Sequence, residues 1–317
     1  MSNKRDDTTP PAVATAKGPP EDEPPSVRLR AWTAPKSAVT GQVRPTRWAD
    51  TMYPGDEAHL RRACRAYVAA PPAGAPTLVG AFVPHGPLTY VGPLVGAALA
   101  QGPIEETLVI LAPNHAGRGP RGAVVGDGGF AVPGGVVPID TPLAEAIRSL
   151  GGLTDARAPF DEEHAIEVLL PLLLTARPRI SIVPLQFHDL RPEAAARVGA
   201  SIADAIVGRG RGVTLIATSN LGHYVLPSEV EAVSEPVLAA LAALDVDAFV
   251  HAIEARMRRA GPTVEMCGLS ATLVAMHALR ALDVAGGSIV ARGSSAEVGG
   301  EAGLAVAYGA LAYPSMR

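Results

Sequence analysis

Two apolar runs in this chain end in the same way: each stops at a proline and delivers a histidine into a turn. The first is Thr77-Leu-Val-Gly-Ala-Phe-Val-Pro-His85, followed by Gly86 and Pro87. The second is Glu106-Thr-Leu-Val-Ile-Leu-Ala-Pro-Asn-His115, followed by a Gly-rich stretch at 117–122. Apolar runs closed by turn residues fit parallel strands buried on both faces, and the apolar segment 91–99 supplies a crossover helix. Ligands of open α/β sheets collect beyond the carboxyl ends of the strands, so two such neighbours present two imidazoles at one edge. A single histidine at a strand end is most often a turn or capping residue. The repetition makes this pair candidate ligands.

The same alternation continues. Strands are expected at 179–184, 213–219, 288–293 and 303–311, and helices at 57–70, 142–150, 192–207, 229–244, 246–260 and 269–279. This pattern predicts one α/β domain, residues 45–317, with a central, mostly parallel sheet and helices on both faces. Residues 1–44 are rich in Pro, Thr and charged side chains without hydrophobic period, which predicts a disordered tail. Short apolar pieces around Asp127-Gly128 resemble a hairpin. Residues 160–174 read as an apolar helix with an acidic entrance: Asp161 and Glu162 suit the positive end of its dipole, and His164 and Glu167, three apart, share a face. Cys64 falls on the packed side of the first helix, and Arg256, Arg258 and Arg259 look like a solvated helix face. His59, His251 and His277 lie in helical patterns as surface or core residues.

Composition excludes several functions. A net charge of −4 without a clustered basic surface argues against nucleic-acid binding. No long uncharged apolar stretch suits a membrane span and no signal peptide opens the chain, so a soluble, cytoplasmic protein is expected. Two cysteines far apart, Cys64 and Cys267, are read individually and not as a disulfide. Phosphate-loop, dinucleotide, HExxH and GxSxG signatures are missing.

Strand ends and helix starts then offer His85, His115, Asn220, His223 and Cys267, with Glu163 and His164 as further members. Imidazole and thiolate suit zinc, copper or iron, whereas hard oxygen-seeking ions call for more carboxylates. Cys267 lies just before an apolar helix, where backbone N–H groups and the helix dipole favour its thiolate.

Several short motifs occur together and in order: Tyr53-Pro54-Gly55, Val83-Pro-His-Gly-Pro-Leu-Thr-Tyr-Val-Gly92, Leu111-Ala-Pro-Asn-His115, Glu162-Glu-His-Ala-Ile-Glu167, Ile182-Val-Pro-Leu185, Thr218-Ser-Asn-Leu-Gly-His223, Met266-Cys-Gly268 and Ala307-Tyr-Gly-Ala310. In this the chain resembles the Memo family from about Trp48 to Pro314. The resemblance implies a fold like that of class III extradiol (LigB-like) dioxygenases, which hold non-haem iron on two histidines and a glutamate. It also implies a metal site in which His85, His115 and Cys267 are the ligands and His223 is a further site histidine. Iron or copper is the expected metal, ahead of zinc. The family usually carries Asp where this chain has Asn220. Bacterial proteins of this kind are often component B of a set with a radical SAM protein and an AMMECR-type protein, which names expected partners.

Two functions follow from these residues. One is a metal-dependent redox enzyme acting on a small molecule, with His223 and Asn220 at the reacting side and His223 as acid or base. The other is a non-catalytic protein that sequesters metal or docks a radical SAM partner, for which the neutral Asn220 speaks.

Overall fold

The computed structural model describes residues 39–210, 212–260, 266–298 and 303–315. The expected tail falls largely on residues 1–38, outside the described residues. The remainder of that segment already takes part in the fold, since Val43–Arg44 forms strand β1 and Arg44 is buried. Among the described residues no helix is long and apolar enough to cross a membrane.

Four parallel strands make the centre of the sheet: β2 (Leu78–Val83), β3 (Thr107–Pro113), β8 (Ser181–Phe187) and β9 (Val213–Thr218), in the order β2-β9-β3-β8. Every residue of β3 and of β9 is buried. Strands covered on both faces need continuous apolar runs, and these sequences supply them. Antiparallel strands extend the sheet at both edges. β12 (Ala305–Pro314) pairs with β2 and carries both β10 (Gly222–Val225) and β11 (Ser288–Ser294); on the far side β4 (Gly122–Val124) pairs antiparallel with β8 and parallel with β7 (Thr154–Asp155). The expected parallel sheet is therefore its centre, with antiparallel additions outside it.

Helices cover both faces. On one, α1 (Glu57–Tyr67), α2 (Leu88–Leu99) and α4 (Leu170–Ala176) pack together; on the other, α8 (Leu269–Ala281) lies on β3 and β9 and is backed by α5 (Pro192–Arg209), which in turn contacts α3 (Thr141–Gly151). α6 (Val230–Ala243) and α7 (Val246–Ala260) form a pair beside β12 and α8. Gly96 of α2 sits where a Cβ would lie 2.0 Å from the carbonyl oxygen of Tyr67, so the two helices touch backbone to backbone. Gly96→Ala is expected to destabilise the fold by about 1–3 kcal/mol or more, because a backbone atom cannot yield as a side chain does. The urea unfolding midpoint measures it, and an unchanged midpoint would refute the close contact.

Three expectations change. The hairpin lies one step beyond Asp127-Gly128: β5 (Gly129–Val132) pairs with β6 (Gly135–Pro138) across Pro133-Gly134, where Gly134 has φ +93. The acidic entrance at 161–163 is not the first turn of a helix. A 3-10 turn spans Glu167–Leu169 and α4 begins only at Leu170. Pro171 explains the late start, since without an N–H it fits the first turn of a helix but not its interior. With no helix between them, His164 and Glu167 do not share a face; His164 turns toward His115 and Glu167 toward Arg44. Finally, Arg258 is exposed but Arg256 is buried, following Phe249 and Ile253 on the packed stripe of α7.

Candidate metal centre

Register brings the site together. Val83 at the end of β2 pairs with Thr218 of β9, and Leu111 of β3 with Ala217, so the residues that follow these three strands emerge side by side. His85 leaves from β2, His115 from β3, and Ser219 and Asn220 from β9 between them. Cys267 comes from the segment just before α8, which lies against the end of β9. Gly268 makes that approach feasible: a Cβ there would lie 2.7 Å from the Thr218 carbonyl oxygen, and its N–H donates to Ser219 Oγ at 2.8 Å.

The ligating atoms of His85, His115 and Cys267 all lie within 4.8 Å of one another. His85 Nε2 is 3.4 Å from Cys267 Sγ. Metal bonds of about 2.1 Å to nitrogen and about 2.3 Å to sulfur, set at a tetrahedral angle, separate the two donors by roughly 3.5 Å, so the donor set fits a bound ion. His85 is buried, Cys267 half-buried, and the His115 side chain, at 30% exposure, stands at the open edge.

Outer groups hold the two rings. His85 Nδ1 lies 2.9 Å from Thr218 Oγ1, and His115 Nδ1 donates to Glu163 Oε1 at 2.8 Å. Both arrangements turn Nε2 toward the centre, the usual orientation of a histidine ligand whose other nitrogen is occupied. Glu163 also accepts the backbone N–H of His115 at 2.9 Å, of His164 at 2.9 Å and of Ala165 at 3.1 Å. Burial would raise its pKa, but these donors and the two imidazoles hold it far below the usual carboxylate range. Cys267 is placed likewise: burial opposes ionisation, while His85, His115 and His223 pull its thiol pKa well below the ordinary value. The backbone N–H of Asn220, 3.3 Å from Sγ, adds another donor to that thiolate. Burial lowers the pKa of His85, whereas His115, also opposed by burial, is held well above the ordinary value by Cys267 and Glu163.

Glu163→Gln is expected to lower metal affinity by about 10–100-fold, because an amide cannot accept from every donor that now converges on the carboxylate. Competition against a chromogenic chelator reads this directly. Equal affinity in the two proteins would mean that Glu163 does not orient His115.

The remaining candidates flank the triad. The side-chain oxygen of Asn220 accepts the backbone N–H of His85 at 3.2 Å, which fixes the amide and points its Nδ2 at His223 Nε2, 3.3 Å away. A carboxylate would accept from that ring; Asn220 donates to it. His164 stacks on His115, with ring centroids 4.7 Å apart and an interplanar angle of 19°, and its Nδ1 lies 3.1 Å from Glu163 Oε1. Thr218 and Ser219 stand in one of the motifs but received no role from the sequence, although their place at a strand end was a usable signal. The support beneath Glu163 was likewise unassigned. Arg44 donates to the Glu163 carbonyl at 2.8 Å and to Glu167 at 2.5 Å, and Tyr53 donates to Glu167 at 2.5 Å. His188 lies outside the triad, 3.2 Å from the Asn114 amide.

With this geometry in view, the sequence profile described as Memo-like protein matches residues 44–312. The chain belongs to the Memo-like family. It is 30% identical to a MEMO1 family protein of Methanopyrus kandleri over 75% of this chain and 83% of that protein. A MEMO1 family protein of Methanothermobacter thermautotrophicus is also 30% identical, over 73% of this chain and 83% of its own length. Among solved structures, an uncharacterized protein of Escherichia coli K12 superposes with a TM-score of 0.50 at 18% identity, covering 74% of this chain and 99% of that one. That likeness concerns the fold. The Memo-like chain thus combines a mixed α/β domain with a His/His/Cys group able to hold a metal.

Proposed function

We propose that this Memo-like protein is a metal-dependent redox enzyme that holds one iron or copper ion on His85, His115 and Cys267 and acts on a small molecule. The observation that carries the reading is the convergence of two oriented imidazoles and one cysteine sulfur at ligand spacing. Three protein donors leave a coordination position open, as catalytic sites do and closed structural sites do not. A bound iron or copper ion supplies a redox couple and Lewis acidity there.

The chain's own groups define the rest. Thr218 and Glu163 fix the two rings, and the N–H of Asn220 stabilises the sulfur anion. His223, half-buried beside Cys267, is the group placed to take or return a proton, and Asn220 orients it. In the competing reading the protein keeps metal without turnover and meets radical SAM and AMMECR-type partners. Asn220, a donor where acid–base chemistry favours a carboxylate, supports it.

Oxygen uptake decides between the two. Protein purified without oxygen and loaded in turn with Fe(II), Cu(I) and Zn(II) is tested on a panel of catechols and related reductants. Turnover is expected in the iron or copper form and not with zinc. His223→Ala should keep its metal and lose turnover. Full metal loading without oxygen uptake across the panel would sink the enzyme reading and leave metal keeping in its place.

A further inference from the structure

Away from the metal centre, α6 and α7 enclose a groove of about 620 Å³, lined by Ala232, Val233 and Pro236 on one side and Ala248, Ala252 and Ala255 on the other. Pro236 lies within α6, and the facing residues of α7 are small, so the two helices leave a channel where larger side chains would close it. The volume lies within the roughly 300–1,000 Å³ typical of small-molecule pockets.

Arg256 also lines this groove, and it is the unusual member. It is only 7% exposed. Its Nη1 donates to the carbonyl of Leu221, and among the described residues its Nε–H meets no acceptor. No carboxylate among the described residues forms an ion pair with it, and burial, the single cause acting on its pKa, pushes that pKa down. Glu229 and His251 also line the groove, both exposed to solvent. Buried cations in proteins are paired, because an isolated one loses its hydration without compensation. Here an apolar channel and an uncompensated guanidinium occupy the same place.

We infer that the groove between α6 and α7 is a binding site for an organic carboxylate with an apolar body, whose anionic head pairs with Arg256. A guanidinium favours carboxylates through paired, charge-assisted hydrogen bonds, and the alanine and proline walls accept an aliphatic chain. None of His85, His115 and Cys267 lines the groove, and the test uses no metal.

Calorimetric titration of the full-length protein with octanoate, and separately with octanol, tests the inference. Octanoate should saturate one site and bind at least about tenfold more tightly than octanol, since only the acid supplies the missing charge. Arg256→Gln should remove that preference. Because Arg256 also holds Leu221, it is paired with Ala248→Trp, which obstructs the groove from an exposed position and should weaken octanoate by a similar factor. Absence of octanoate binding, equal affinity for octanol, or full binding by Ala248→Trp would each overturn the assignment.

Discussion

Cys267→Ala is expected to lose metal almost completely, with a fall in affinity of more than about 100-fold, beyond what changes in outer-shell groups produce. Cys267 is the one sulfur of the triad, and, against the effect of burial, His85, His115 and His223 pull its thiol pKa well below the ordinary value. His85 Nε2 stands 3.4 Å from the sulfur and the Asn220 N–H donates to it at 3.3 Å, so the substitution removes the sulfur beside that ring and leaves the N–H facing a methyl group. Two imidazoles, one buried and one at the open edge, then hold a cation without the sulfur beside it. Metal content by mass spectrometry and chelator competition give the two readouts. Thermal unfolding gives a third. A ligand at 1,000 times its Kd stabilises the folded protein by about 4 kcal/mol, a gain the wild type should show on loading and the variant should not. Cys64 is the internal control: burial raises its thiol pKa to about 12, and Cys64→Ala should leave metal content unchanged. Retention of stoichiometric, equally tight metal by Cys267→Ala would remove sulfur from the site and redirect attention to the other donors that meet at His115, namely Glu163 and His164.

His85 and His115 could be read from the chain as candidates because they follow the elements that announce themselves most clearly, whereas Cys267, which precedes α8, entered the ligand set through the family resemblance. Central parallel strands must be apolar throughout, and β2, β3 and β9 are; the polar residue after each is conspicuous for that reason. Segments whose shape is set by local hydrogen bonding were less legible. The stretch from Phe160 to Leu169 has the composition of a helix start, yet Glu163 spends its carboxylate on the N–H groups of His164 and Ala165, offering that backbone an alternative to helix. Arg256 was misjudged by its charge alone. Its spacing from Phe249 and Ile253 marked it as inward, and the helical period was the better guide. The link between Arg44 and Glu167 could not be foreseen, since nothing local to either residue indicates a partner more than a hundred positions away.

That link carries the second large effect. Glu167→Gln is expected to destabilise the protein by about 3–5 kcal/mol, the cost of breaking a buried ion pair from one side. Glu167 is fully buried and Arg44 nearly so, 2.5 Å apart. The same carboxylate accepts from Tyr53 Oη at 2.5 Å, from the Arg47 N–H at 3.0 Å and from the Trp48 N–H at 2.9 Å. An amide turned so that its nitrogen faces any of these groups sets donor against donor. The segment from Arg44 to Tyr53 is thereby fastened to the turn that carries Glu163, whose carbonyl Arg44 also holds, and Trp48 meets His164 edge-on with ring centroids 5.6 Å apart. Loss of the pair should therefore lower metal affinity together with the urea unfolding midpoint. The double variant Arg44→Met with Glu167→Leu separates the causes. Removing both charges relieves the uncompensated arginine, so the double variant should recover part of the stability that Glu167→Gln loses. Metal affinity should stay reduced in it, because the Glu163 carbonyl still lacks its donor. A double variant with no recovery of stability would show that the hydrogen bonds from Tyr53, Arg47 and Trp48, and not the ion pair, fasten this segment to the metal centre.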